Sequence, residues 1–278
     1  MMQSLYPLSD SSSLILDRPM DILSRLYRLP TGRFHYTLLG LIGVGWLFDA
    51  MDTGLVSFVL PTLSQQWQLT PAQSGWIVSV AFVGMALGAV ASGWAADRFG
   101  RRNVFVGTMV LYSIATGLCA LSPSLPILLF CRFWVGFGLG GQLPVAVSLV
   151  SEFAPPAVRG RLIVLLESFW GLGWLAAALA SWGFIPHFGW HSAFWIGALP
   201  IFYALWVWKK LPESVPYLLA RGRVDEAHAL VSRLEAQAGL PVAAEAVVAA
   251  TAPHEPIRFG QLWKPPFARR TLMLWLIW

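Results

Sequence analysis

Apolar residues run along this chain in blocks of spanning length, separated by short polar turns, and the blocks themselves carry almost no charge. Six blocks lie at roughly 37–60, 75–96, 104–122, 125–150, 162–185 and 192–208, each judged against the about 20 residues a helix needs to cross a bilayer. A seventh opens near Thr271 and stops at Trp278, which is less than half a span. The pattern predicts an all-α integral membrane protein. Residues 1–36 form an N-terminal tail, 37–208 a six-helix transmembrane bundle, 209–270 a polar connection, and 271–278 the truncated start of helix seven. Within the connection, Val224, Ala227, Leu230, Val231 and Leu234 recur at helical spacing on a polar run, predicting one or two surface helices. An Ala/Val/Pro-rich linker to about residue 256 follows, and Ser11-Ser12-Ser13 reads as a linker in the tail.

Composition agrees with the pattern. Of 278 residues, 56% are hydrophobic and only 12% charged, and the mean hydropathy is +0.62, too apolar for a soluble domain. The net charge of +5 does not point to nucleic acid, because the basic residues are spread along the chain in alternation with the spans. Eighteen of the 19 Lys and Arg fall before span one, between spans two and three, between four and five, or after span six. The intervening connections hold none, so the positive-inside rule puts the N-terminus, the charged turns and the 209–270 segment in the cytoplasm, and the expected location is an inner cell membrane crossed many times. Cys119 and Cys131 both sit in apolar blocks and read as small buried hydrophobes.

The nineteenth basic residue, Arg132, lies inside span four, and Asp49 and Asp52 in span one and Glu167 in span five are the acids inside spans. Ionisable groups at such positions are costly and mark function by default. Asp49 and Asp52 share a helix face. Counting 1.5 Å per residue from the span ends puts Asp52 and Arg132 at similar depth, so the two can pair across the bundle, with Asp49 about a turn lower. Such a pair fits two readings: a proton-coupling device, because the arginine favours the charged acid until the two part, or a buried ion pair that only fixes helix register.

Small residues recur at four-residue spacing where helices would cross closely: Gly84, Gly88 and Ser92 in span two, Gly136 and Gly140 in span four, and Gly171 in span five. Gly136-Phe-Gly138-Leu-Gly140-Gly141 spells a dinucleotide-binding pattern, but it lies in an apolar helix with no strand before it, so that site is rejected. His187 and His191 flank Gly189 and read as exposed loop histidines. No metal or cofactor site is expected, and no nucleophile and base stand at usable spacing for an enzyme.

The turn Gly93-x-x-x-Asp97-Arg98-x-Gly100-Arg101-Arg102 resembles the signature loop of the major facilitator superfamily, between its second and third helices. Arg132-x-x-x-Gly136-x-Gly138, then Ser151-Glu152-Phe-Ala-Pro155-Pro156-x-x-Arg159-Gly160, and Leu211-Pro212-Glu213-Ser214 with Gly222-Arg223-x-x-Glu226-Ala227, resemble the sugar porter branch of that superfamily. The segment Phe48-Asp49-Ala-Met-Asp52 is similar to the two-acid motif of aromatic-acid and niacin-type proton symporters, with Ala50 and Met51 departing from it. The resemblance implies a 12-helix secondary transporter working by alternating access, of which this is the N-terminal half, two inverted three-helix repeats, with the C-terminal half missing. It implies proton coupling at Asp52 and Arg132, with Asp49 beside them, and a cytoplasmic gating network of Gly93, Asp97, Arg98, Gly100, Arg101, Arg102, Glu152, Arg159, Gly160 and Glu213. Glu167 stands where sugar porters use a glutamine, which turns the expectation toward a small organic, aromatic acid carried with protons; Glu167, Trp170 and Trp46 are the expected substrate contacts, and Trp134 and Trp174 are further ring-stacking candidates. A sugar, polyol or drug transporter of the same superfamily is the alternative, and a non-transporting fragment or half-subunit is another. The partners expected are the small-molecule substrate, protons, the lipid bilayer and the missing half.

Overall fold

The computed structural model describes residues 21–242, 263–265 and 267–277. The Ser11–Ser13 run and most of the linker to 256 lie outside the described residues. The chain divides into two units, and the first, Met1–Ala246, holds the bundle. A short helix α1 (Ile22–Tyr27) precedes the long helices α2 (Arg33–Trp67), α3 (Pro71–Phe99), α4 (Arg101–Ala120), α5 (Leu125–Phe153) and α6 (Arg159–Phe188). Then come α7 (Trp190–Ala198), α8 (Pro200–Lys210), α9 (Val215–Ala220) and α10 (Val224–Gln237). In the second unit, α11 (Phe267–Ile277) is the helix described.

Local chemistry sets the helix ends. Thr70 accepts a hydrogen bond from the Gln73 amide at 3.3 Å and the Gln73 side chain accepts from the Thr70 amide at 2.8 Å, a reciprocal cap with Pro71 in the first turn of α3. Gly100 adopts φ +97°, a conformation that L side chains resist, and so lets α3 stop and α4 begin one residue later. Gly189, at φ +75°, makes the same break between α6 and α7. The sixth apolar block is interrupted as well. Pro200 has no amide to donate and its ring crowds the preceding turn, so the block 192–208 becomes α7 and α8 with Leu199 between them. The histidines expected in a loop sit instead in helices, His187 in the last turn of α6 and His191 in α7, stacked on Trp190 at 3.7 Å.

Among the described residues six helices are long and apolar enough to cross a membrane, with α7 and α8 together forming the sixth. In the bundle α2 packs along α6, α3 along α5, and α4 against both α5 and the α7–α8 pair. Exchanging the first three spans for the second three turns the α2–α6 pair into α5–α3 and leaves the α4–α7/α8 contact in place. That invariance is what two repeats related by a two-fold axis require.

Close backbone approach holds the α3–α5 crossing. A methyl group added at Gly84 or Gly88 would collide with the carbonyls of Phe133 or Phe137, and one at Gly136 or Gly140 with those of Ala81 or Met85. In lipid no hydrophobic force draws helices together, so this tight packing of small residues carries the association. On α6 the close-approach glycine is Gly173, against Leu47 and Ala50 of α2, whereas Gly171, expected from its spacing, has open space beside it. The helix rotates Gly171 off the α2 contact. The core continues through Phe105, Met109, Leu139 and Leu149, all buried, while α3 and α6 keep only 22% of their apolar windows buried.

Outside the spans, α10 buries Ala227, Val231 and Leu234. α1, inside the stretch read as tail, packs on it through an Arg25–Glu235 ion pair of 2.6 Å.

Candidate functional site

Charge in the bundle concentrates where α2, α4, α5 and α7 meet. Asp52 of α2 accepts a hydrogen bond from Thr116 Oγ1 of α4 at 2.7 Å and an ion-pair contact from Arg132 of α5 at 3.4 Å. Both charged side chains are buried, at 1% and 4% exposure. Gly197 of α7 closes the site, because a side chain there would meet Asp52 Oδ1 at 3.0 Å and the Thr116 methyl at 2.7 Å. The pair is long for a charge-assisted contact, whose usual distance is about 2.7–2.9 Å. Arg132 also keeps a buried Nε without a hydrogen-bond partner among the described residues. The site therefore holds its charges together with bonding capacity to spare.

One turn along α2, Asp49 faces the Tyr112 hydroxyl of α4. Both Asp49 oxygens, the Tyr112 hydroxyl and Trp46 Nε1 are buried without hydrogen-bond partners among the described residues. Thr108, Tyr112 and Thr116 follow at four-residue spacing on α4, and Thr108 donates to Gln142 Oε1 of α5 at 2.7 Å. A polar file thus runs along α4, with Thr116 on Asp52 of α2 and Thr108 on Gln142 of α5. The sequence reading missed Thr116, Tyr112, Thr108 and Gly197; the i, i+4 recurrence of polar residues in the third span was the available sign.

Trp46 packs against Trp170 of α6, ring centres 4.8 Å apart. Glu167 lies one turn from Trp170 on α6 and is exposed. Trp134 and Trp174 are exposed, and Trp134 packs against Phe130, Phe133 and Phe137 of its own helix. Trp46 is buried and Trp170 partly so, which puts this contact within the α2–α6 packing, while Glu167 is exposed one turn along α6 and Trp134 is elsewhere.

A second polar cluster occupies the end of the bundle that carries the 97–102 turn. Arg101 bonds Asp97 at 2.8 Å and Glu152 of α5 at 3.3 Å, and donates to the Ala96 carbonyl at 3.0 Å. Glu152 also accepts from Ser148 at 2.9 Å and from the Ser214 hydroxyl. Glu213 accepts from the amides of Arg102 and Ser214 at 3.2 and 3.0 Å, with its carboxylate against Gly100, where a side chain would not fit. Tyr217 and Arg221 donate to the Arg98 carbonyl. Asp97, Gly100, Arg101, Glu152 and Glu213 are thus brought together, joined by Ser214 of the 211–214 motif and by Ser148, Tyr217 and Arg221, which sequence reasoning did not place in this cluster. The Arg98 side chain turns outward over Trp94 at 5.5 Å, and Arg102 contributes its backbone amide. Arg159 stands apart, over the Tyr27 ring at 5.5 Å and bonded to the Ala154 carbonyl at 3.4 Å. Gly93 and Gly160 are exposed with open space beside them.

Residues 42–278 match the family described as sugar (and other) transporter. The chain is 61% identical over 259 residues to the niacin transporter NiaP of Acinetobacter baylyi, covering 93% of this chain and 59% of that protein. It is 31% identical over 261 residues to the 4-hydroxybenzoate transporter PcaK of Pseudomonas putida, covering 93% of this chain and 58% of that protein. Among solved structures, the xylose transporter XylE of E. coli superposes with a TM-score of 0.65 at 21% identity, over 74% of this chain and 51% of the other. The chain spans about half the length of the curated relatives it matches. The family match, the six spanning helices and their paired packing lead to one conclusion: this multi-pass membrane chain belongs to the sugar (and other) transporter family of the major facilitator superfamily.

Proposed function

We propose that the protein carrying this chain is a secondary transporter that takes up a small organic acid, of aromatic type, together with a proton. The observation that carries this reading is the buried Asp52–Arg132 contact at 3.4 Å, held between helices rather than within one. A proton on Asp52 cancels its charge and its attraction to Arg132, and loss of the proton restores both. Proton occupancy and the α2–α5 spacing are then two sides of one equilibrium. Asp49, buried with neither oxygen hydrogen-bonded among the described residues, is the second proton site of this file.

The substrate reading draws on the named transport of niacin and 4-hydroxybenzoate by relatives at 61% and 31% identity. Trp46 and Trp170, in contact across α2 and α6, are the aromatic side chains assigned to a ring, with Glu167 one turn along α6 as the polar contact. The poorly buried faces of α3 and α6 would be covered by lipid or by a second six-helix bundle, which would complete the central site. The Asp97–Arg101–Glu152 cluster ties α3, α4 and α5 at the charged end and serves as the gate there. By the positive-inside rule that end and the N-terminus face the cytoplasm, across an inner membrane.

The test uses the full-length protein reconstituted in vesicles with an imposed pH gradient. Labelled nicotinate and 4-hydroxybenzoate should accumulate in response to the gradient, and a protonophore should abolish the accumulation. Asp52→Asn should lose accumulation while retaining exchange of labelled for unlabelled substrate. Undiminished accumulation by the variant would remove Asp52 from the coupling step. Uptake of xylose but of neither acid by the wild type would overturn the substrate class.

A further inference from the structure

Apart from the proposed transport pathway, a basic cavity of about 390 Å³ opens between the ends of α4 and α8 and the side of α10. Arg102 and Asn103 supply one wall, Lys209 and Lys210 a second, and Arg223, Glu226 and Arg233 the third. Its two acids are already engaged. Glu226 pairs with Arg223 at 2.6 Å, and Glu213 is held by the amides of Arg102 and Ser214. Among the described residues no ion pair engages the side chains of Arg102, Lys209, Lys210 or Arg233, and the Arg102 Nε is buried with no hydrogen-bond partner. Five cations thus line one small space against two carboxylates, Glu213 and Glu226, which leaves the cavity an excess of positive charge. The adjacent N-terminus of the 20-residue helix α4 adds partial positive charge on the same side.

The mouth of the cavity lies at a membrane surface. Lys209 and Lys210 are the last residues of the sixth span, and Arg102 is in the first turn of the third. On α8, Phe202, Leu205, Trp206 and Lys209 follow at i, i+3, i+4 and i+7, which places them on one stripe, and the three apolar members are exposed. An apolar stripe with tryptophan at its end, running into a pocket of unbalanced cations, matches an amphiphile with acyl chains on one side and a phosphate on the other. A free phosphate would use the cations and leave the stripe without a role.

We propose that this cavity is a binding site for the headgroup phosphate of an anionic phospholipid, whose acyl chains lie along the exposed face of α8. Arg102, Lys209, Lys210 and Arg233 hold the phosphate; Arg223, tied to Glu226, shapes the rim.

The test is native mass spectrometry of the purified full-length protein with phosphatidylglycerol, phosphatidylcholine or inorganic phosphate. Phosphatidylglycerol should be retained in preference to phosphatidylcholine. The triple variant K209Q/K210Q/R233Q should bind it about 100-fold more weakly, at about fivefold for each charge removed near a lipid surface. The charge-preserving K209R/K210R/R233K should bind within a few-fold of wild type, and R161Q, which removes a charge outside the pocket, should leave binding unchanged. As an independent reading on wild-type protein, phosphatidylglycerol with a photoreactive headgroup should crosslink to peptides spanning residues 102, 209–210 and 233. Equal retention by the triple glutamine variant, an equal loss in R161Q, or crosslinks scattered over the chain would each overturn the pocket. Displacement of phosphatidylglycerol by equimolar inorganic phosphate would overturn the lipid assignment and leave an anion site.

Discussion

Two buried arginine–carboxylate pairs in this molecule differ in how completely they are bonded. Outside the spans, Arg25 grips Glu235 with Nε at 3.2 Å and a terminal nitrogen at 2.6 Å and reaches Ser232 at 3.0 Å, while Arg28 adds a contact to Glu235 at 2.8 Å. Both Glu235 oxygens are occupied and its side chain is fully buried. Inside the spans, Arg132 reaches Asp52 through one contact at 3.4 Å, and the acid's other bond is to a neutral threonine. Taking two charges out of water is costly in either place, and only multiple short bonds offset it well. The first pair is built like a rivet between α1 and α10. The second hangs on one long contact, which suits a contact proposed to break and re-form in each transport cycle.

The largest expected effect comes from breaking the rivet. Arg25→Ala leaves Glu235 buried with Arg28 as its remaining cation, and removing one partner of a buried pair costs about 3–5 kcal/mol. Hydrogen exchange over residues 224–237 should accelerate by two orders of magnitude or more, and unchanged protection would show that α1 does not hold α10.

Arg132→Ala should cost less in stability, about 1–3 kcal/mol, since Asp52 keeps its Thr116 hydrogen bond and can take up a proton. Thermal unfolding of both variants in one detergent orders them. A greater loss for Arg132→Ala than for Arg25→Ala would reverse the comparison.

Acid should separate the pairs further. Burial by itself raises the Glu235 pKa, but the hydrogen bonds and charges of Arg25 and Arg28 outweigh it and hold the carboxyl below its ordinary value. A carboxyl with a lowered folded pKa contributes stability that is fully present above its unfolded value, near about 4.3, and is lost as pH falls through the lower folded value. Spin labels at Ser24 and Ala236 should therefore report a constant α1–α10 distance from pH 8 to about 5 and separation only in stronger acid. Glu235→Gln should remove that acid dependence; separation on raising the pH would contradict the account.

The smallest effect belongs to the exposed Arg223–Glu226 pair. It is as short as the rivet, 2.6 Å, but water already solvates both groups. Glu226→Gln should leave thermal unfolding unchanged within measurement, and a clear loss would mean that distance rather than burial ranks these pairs.

Much of this was open to reading in the chain. Apolar run length and the alternation of basic residues define six spans because lipid admits no unpaired backbone and few charges. The depth of Asp52 and Arg132 could be counted because a helix rises by a fixed amount per residue, and two costly charges at one level have reason to meet. Thr116 and Tyr112 were not legible in the same way. A hydroxyl in an apolar span can turn back to its own helix, and only the rotation of α4 against α2 aims these two at the acids. Gly171 and Gly173 make the same point, since two residues of rotation decide which one meets α2.

By itself, then, the sequence determined that this is a membrane-spanning bundle, roughly where its six apolar spans run, and which charges stand inside it. Those properties follow from local chain geometry and from transfer between water and lipid. Tertiary structure alone decided that Arg25 would find Glu235 across 210 residues, that Gly197 would close over Asp52, and that four cations from three helices would share one cavity. Such meetings depend on how whole helices cross and rotate, and that is settled by packing among all of them at once.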